Sequence, residues 1–136
     1  MRAIGSLYME QFILIAEDDP GLAALVRSVV EGEGYFAVTS KDGKEAYQAL
    51  KSGAAFVGAI VDINMPYIDG NDLVKFMRKD ERFAKIPVIV MTGDRDPRTS
   101  AKALASGAIA FLPKPFTNDQ LRAALKTMVP RPVPAT

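Results

Sequence analysis

The chain contains no cysteine and no histidine. The first absence excludes disulfides, thiolate nucleophiles and cysteine-ligated zinc; the second excludes imidazole bases, histidine metal ligands and an internal phosphohistidine. Any chemistry must therefore use carboxylates, hydroxyls, lysine or backbone. Charge of one sign is also lacking: 17 Lys and Arg against 16 Asp and Glu leave a net +1. Nothing in that balance draws the chain to nucleic acid or to an anionic membrane. No apolar run approaches the roughly 18 residues of a membrane span; the longest, 54–61, is interrupted by Gly58. Residues 1–8 carry one arginine and no sustained apolar stretch, so they do not read as a signal peptide. The expectation is a cytoplasmic protein without membrane insertion or direct nucleic-acid contact. With 136 residues, 49% of them hydrophobic, there is room for one domain and not for two.

Five short runs rich in β-branched and aromatic residues read as strands: 12–16, 35–39, 56–61, 87–91 and 109–112. Helical spacing lies between them, clearest in Leu22, Leu25, Val26, Val29, then in Leu73, Phe76, Met77, and last in Leu121, Ala124, Leu125, Met128. Asp42, Asp69 and Thr117 are expected N-caps, Pro20 suits a first helical turn, and Gly34, Gly53 and Gly107 fall where left-handed C-terminal caps belong. Five strand–helix alternations with nearly continuous apolar strands imply an α/β domain, a doubly wound parallel sheet with helices on both faces. The fourth helix, 97–106, offers mostly alanine and one leucine to the sheet, so at about 25 cal/mol per Å² of apolar burial it is the most weakly anchored. The expected boundaries are an N-terminal extension or remnant over 1–9, the domain over 10–129, and a proline-rich tail or linker start over 130–136.

In such sheets ligands bind beyond the carboxyl ends of the strands. Those ends carry Glu17, Asp18 and Asp19 on the first strand, Asp62 and Asn64 on the third, Thr92 on the fourth and Lys114 on the fifth. Each has an ordinary reading: a cap for the acids, a turn for Thr92–Gly93, a solvated charge for Lys114. Asp62 fits that least, because it ends the most apolar strand, where a carboxylate is desolvated unless a charge compensates it. Jointly, the acids repel; two unit charges about 5 Å apart cost roughly 3 kcal/mol at an effective dielectric near 20. A hard divalent cation relieves that, and few oxygen ligands without His or Cys point to Mg²⁺, with Mn²⁺ as a substitute. Mg²⁺ implies phosphate, leaving Thr92 and Lys114 to contact phosphate oxygens and Asp62 to act as nucleophile.

The runs Ile13-Leu14-Ile15-Ala16-Glu17-Asp18-Asp19-Pro20, Val61-Asp62-Ile63-Asn64-Met65-Pro66 with Asp69-Gly70, Val90-Met91-Thr92-Gly93 and Phe111-Leu112-Pro113-Lys114-Pro115-Phe116 together resemble the receiver domain of two-component response regulators. The resemblance covers about residues 11–129. It implies a flavodoxin-like sheet of order 2-1-3-4-5 and a phosphoacceptor, Asp62, charged by a sensor histidine kinase or a histidine phosphotransfer protein. It further implies Mg²⁺ held by Asp18, Asp62 and the Asn64 backbone carbonyl, with Glu17 acting through water, and a cis Lys114–Pro115 peptide. Thr92 and Phe111 would form the switch, altering the surface of the fourth helix, fifth strand and fifth helix for an output partner or a homodimer. Phe111 stands where the family often has a hydroxyl-bearing aromatic, and Pro113 stiffens the approach to Lys114. Asn64 and Asp94 would set the lifetime of the acyl phosphate. The domain would catalyse only its own phosphorylation and slow dephosphorylation. Two rivals use similar residues: a haloacid-dehalogenase-type phosphatase, which places an acid where this chain has Asn64, and a receiver-like module used only for binding.

Overall fold

Each helix starts where a short polar side chain can accept from its unpaired amides, the four donors an α-helix leaves free at its N-terminus. The computed structural model describes residues 10–128; the expected extension (1–9), residue 129 and the tail (130–136) lie outside the described residues. In chain order the elements are β1 (Phe12–Ala16), α1 (Pro20–Gly32), β2 (Phe36–Ser40), α2 (Gly43–Leu50), β3 (Phe56–Asp62), α3 (Gly70–Lys79), β4 (Val88–Thr92), α4 (Pro97–Ser106), β5 (Ala110–Pro113) and α5 (Asn118–Met128). Asp42 caps α2 through the Glu45 amide and Asp69 caps α3 through the Asp72 amide, both at 2.8 Å. Thr117 and Gln120 exchange side chain-to-amide bonds of 3.1 and 2.9 Å, a reciprocal capping box for α5. Gly34, Gly53 and Gly107 all have positive φ, as their places after helices required.

The five strands are parallel, in the order β2-β1-β3-β4-β5. Alternate residues of the central strands feed two cores, so both faces are apolar. Leu14, Ala16, Ala59, Val61, Val88 and Val90 pack with Ala46, Leu50, Leu73, Val74 and Met77 of α2 and α3. Ile13, Ile15, Ile60, Ile89 and Met91 pack with Val26, Val29 and Val30 of α1 and with Leu121 and Leu125 of α5. Burial on both faces is what a parallel sheet demands.

Several strands extend further toward their carboxyl ends than their apolar runs suggested. Pro87, which has no amide to donate, lies just before β4, while Asp62 pairs with Met91 and Thr92 with Pro113 inside the ladder. The polar residues at these tips are thus held by sheet hydrogen bonds rather than by loops. Helix α4 buries only Ala103 and Ser106 and leaves Leu104 46% exposed. Its C-terminal end is fastened by Arg78, whose guanidinium donates to the carbonyls of Gly107, Phe83, Ala84 and Ile86 at 3.0, 3.4, 2.8 and 2.6 Å.

Candidate functional site

Strand order reverses between β1 and β3, which places the tips of these neighbours side by side. There Glu17, Asp18 and Asp62 bring one carboxylate oxygen each within 4.8 Å of the others. Glu17 and Asp62 are buried and Asp18 is exposed, so the cluster has a closed floor and a mouth open to solvent. Lys114 reaches in from β5, 2.8 Å from Glu17 Oε1 and 3.3 Å from Asp62 Oδ1. Its backbone amide donates to the Thr92 carbonyl at 2.7 Å, continuing the β4–β5 ladder past the last strand residue, and the Lys114–Pro115 peptide is cis.

The electrostatics follow from burial. Desolvation raises the Glu17 carboxyl above its ordinary range despite the opposing bonds from Lys114 and the Asp19 amide, and the Asp62 charge adds to the rise. Burial pulls Lys114 downward, but its hydrogen bond to Glu17 and the charges of Asp62 and Glu17 outweigh that, so the ammonium is favoured overall. One ammonium among three carboxylates leaves an acidic excess. Hard oxygen donors at this spacing with an open side suit a divalent cation of the Mg²⁺ or Ca²⁺ kind.

The remaining residues sort themselves by neighbour. Asp19 is the cap of α1, its carboxylate accepting from the Gly21 amide at 2.9 Å and the Leu22 amide at 3.4 Å; for this member of the acidic run the ordinary reading holds. Asn64 is exposed, two residues beyond Asp62. Thr92 is 1% exposed, and its hydroxyl accepts from the Asp94 amide at 3.0 Å. The Asp94 carboxylate accepts from the Thr99 hydroxyl at 2.6 Å and the Asp96 amide at 2.9 Å; the Thr99 bond foremost, then the Asp96 amide, holds it below the usual carboxylate range. Asp94 is therefore bonded to the first turn of α4. Phe111 is 38% exposed and shares with Thr92, Pro113 and Lys114 the wall of a cavity of about 370 Å³. A groove of about 350 Å³ opens on the other side of Lys114, lined by Asp19, Leu22, Leu25, Pro115 and Phe116.

Sequence reasoning did not single out Thr99, Asp96 or Gly43. Asp96 caps α4 through the Arg98 amide and was legible as an Asp just before Pro97. Thr99 had no signal, because its partner is chosen by how the β4–α4 loop folds.

Comparison with known proteins adds four findings. Residues 13–126 match the family model described as the response regulator receiver domain. The chemotaxis protein CheY1 of Helicobacter pylori is 31% identical over 118 residues, spanning 86% of this chain and 95% of CheY1. The transcriptional regulatory protein FixJ of Bradyrhizobium diazoefficiens is 30% identical over 123 residues, 90% of this chain, which spans 58% of FixJ's length. Among solved structures, the chemotaxis response regulator CheY4 of Vibrio cholerae superposes with a TM-score of 0.82 at 27% identity, covering 89% of this chain and all of CheY4.

Proposed function

The chain belongs to the response regulator receiver domain family, a phospho-accepting signalling domain, and we propose that Asp62 is the residue on which it carries its phosphoryl group. The observation that supports this choice is the Lys114 ammonium 3.3 Å from a buried carboxylate at the β1–β3 reversal. A carboxylate there is paired with a cation through one oxygen, Oδ1. In the transfer, an Asp62 oxygen forms a bond to phosphorus while the P–N bond of a donor phosphohistidine breaks; the imidazole nitrogen keeps the electron pair and takes a proton from solvent. Lys114 and the Thr92 hydroxyl stabilise charge on the phosphoryl oxygens. Asp18, Asp62 and the Asn64 carbonyl would hold Mg²⁺, or Mn²⁺ in its place, with Glu17 acting through water; the metal supplies charge neutralisation for the transferring group. Glu17 has a second task, orienting Lys114.

The donor is a phosphohistidine on a sensor histidine kinase or a phosphotransfer protein; the 136 residues themselves contain no histidine. The groove lined by Leu22, Leu25 and Phe116 beside Lys114 suits the apolar flank of such a donor. Phosphorylation adds close to two negative charges beside Thr92. Drawing the Thr92 hydroxyl inward breaks its bond with the Asp94 amide and loosens the Asp94–Thr99 link to α4, while Phe111 turns into the space released. The surface of α4, β5 and α5 then reads out the state to an output partner or a second copy. Asn64 and Asp94 set the acyl phosphate's lifetime. Among the described residues no helix is long and apolar enough to cross a membrane, and we place the protein in the cytoplasm.

The test is acetyl phosphate labelling with Mg²⁺. Wild-type protein takes up one base-labile, hydroxylamine-sensitive phosphoryl group, and Asp62→Asn takes up none while keeping its circular dichroism spectrum. Labelling of Asp62→Asn at the wild-type level defeats the assignment, and continuous turnover of a phosphomonoester would favour a phosphatase instead.

A further inference from the structure

The loop from Ile63 to Gly70, which leaves the proposed acceptor and returns to α3, is held at its base and along its length by contacts that only glycine permits. At its base the Gly70 amide donates to the Ile63 carbonyl at 2.8 Å. A Cβ built on Gly70 would overlap the Asp62 carbonyl oxygen and stand 2.8 Å from Ile63 Cα. Halfway along, the loop is pressed against the first turn of α2: a Cβ on Gly43 would overlap the Ile68 carbonyl oxygen and stand 2.6 Å from Ile68 Cβ. The obstructing atoms are backbone or Cβ, not the far ends of flexible side chains, so an added methyl moves the loop or the helix. Neither glycine has positive φ; both are needed for close approach alone.

Between the two contacts the Pro66 carbonyl accepts from the Ile68 amide at 2.9 Å and from the Gly43 amide at 3.3 Å. An i to i+2 bond around Tyr67, whose φ is +70°, is a classic γ-turn, a rare and strained conformation for a bulky residue. Such strain persists only where surrounding contacts over-determine it. Ile63 and Met65 point into the core and Ile68 packs against it, whereas Asn64 is exposed and Tyr67 is 81% exposed. The loop is a fastened strap, anchored every two or three residues.

We propose that Gly43 and Gly70 are positioning residues for the phosphoacceptor site: by clamping this strap to α2 and to the Asp62 backbone they hold the Asn64 carbonyl and Asp62 in the relative placement that a divalent cation requires. The inference rests on the reading of Asp62 given above. It makes Gly43, on a different element from any proposed ligand, a determinant of metal affinity. Groups that orient metal ligands from behind typically change affinity 10- to 100-fold when altered.

The experiment is titration of the ¹⁵N-labelled protein with MgCl₂, following the amides of residues 62–64. Gly43→Ala is expected to weaken binding about 10-fold or more and to shift the Asn64 amide in the metal-free protein. Ile68→Gly, which releases the strap without adding an atom, gives the same direction of change and decides the matter if Gly43→Ala does not fold. Leu50→Ala empties a buried position at the end of α2 away from Gly43 and keeps wild-type affinity, separating positioning from general loss of stability. Wild-type affinity in a folded Gly43→Ala, or in Ile68→Gly, overturns the inference, as does an equal loss in Leu50→Ala. Metal binding that weakens as expected in a protein whose Asp62 takes no label sustains the strap and sinks only the acceptor assignment.

Discussion

A half-buried ammonium shared by two buried carboxylates is the residue-scale fact on which the site turns. Lys114 is the cation bonded to both Glu17 and Asp62, and removing one member of a buried ion cluster strands the others. Lys114→Ala is therefore expected to lower unfolding free energy by about 3 kcal/mol, read from urea denaturation, with Mg²⁺ recovering more stability than it adds to wild type. Labelling by acetyl phosphate persists in this variant, but its effect on α4 is weak. Equal midpoints for variant and wild type without metal would contradict the stated role of the ion cluster. Asp62, Thr92 and Lys114 were legible as strand-tip residues because strand ends can be read from where apolar runs stop. Side-chain partners were not legible. Glu17 was expected to work through water, yet it is also the nearest partner of Lys114, 97 positions away. Asp94 was assigned to hydrolysis alone, yet its carboxylate is bonded to Thr99.

Among the elements, α4 is held at its two ends and poorly along its length. Its alanine-rich face buries little apolar area, so the attachment falls to Arg78 at the C-terminal end and to the Asp94–Thr99 bond at the other. A guanidinium bonded to four backbone carbonyls, with no carboxylate partner among the described residues, is a tether between α3, the segment before β4 and the α4–β5 turn. Arg78→Met removes the guanidinium donor from those carbonyls, of which Phe83 keeps the Ile86 amide, and is expected to destabilise by about 2 kcal/mol, with faster hydrogen exchange at Gly107 and Ala108. Thr99→Val is expected to speed exchange in the first turn of α4 while leaving global stability nearly unchanged. If both substitutions accelerate exchange uniformly along the helix, the two ends are not independent. The weak apolar face of α4 was readable from composition; the tether was not, since an arginine late in a helix gives no sign of which carbonyls it will meet.

For the molecule as a whole, the two cores make a rigid platform and leave the chemistry on one edge. With the proposed donor seated in the groove beside Lys114, recognition of a protein donor is separable from reaction with a small one. Leu25→Glu, at a position 40% exposed on α1, is expected to slow phosphotransfer from a phosphohistidine protein about tenfold, equivalent to roughly 1.4 kcal/mol, while acetyl phosphate labelling stays unchanged. A parallel slowing with both donors would place Leu25 in the chemistry or the fold rather than in docking.

The order of helices and strands, their caps and the acidic strand tips were determined by the sequence itself, because periodicity, capping and strand termination are local and depend on neighbours within a few residues. Tertiary structure alone decided how far the strands run, which acid holds Lys114, and which glycines are indispensable. Hydrogen bonds between strands carried Asp62 and Thr92 into the ladder, and close approach of separate backbones selected Gly43 and Gly70. Those outcomes depend on distances between segments far apart in the chain, which exist only once the sheet has brought them together.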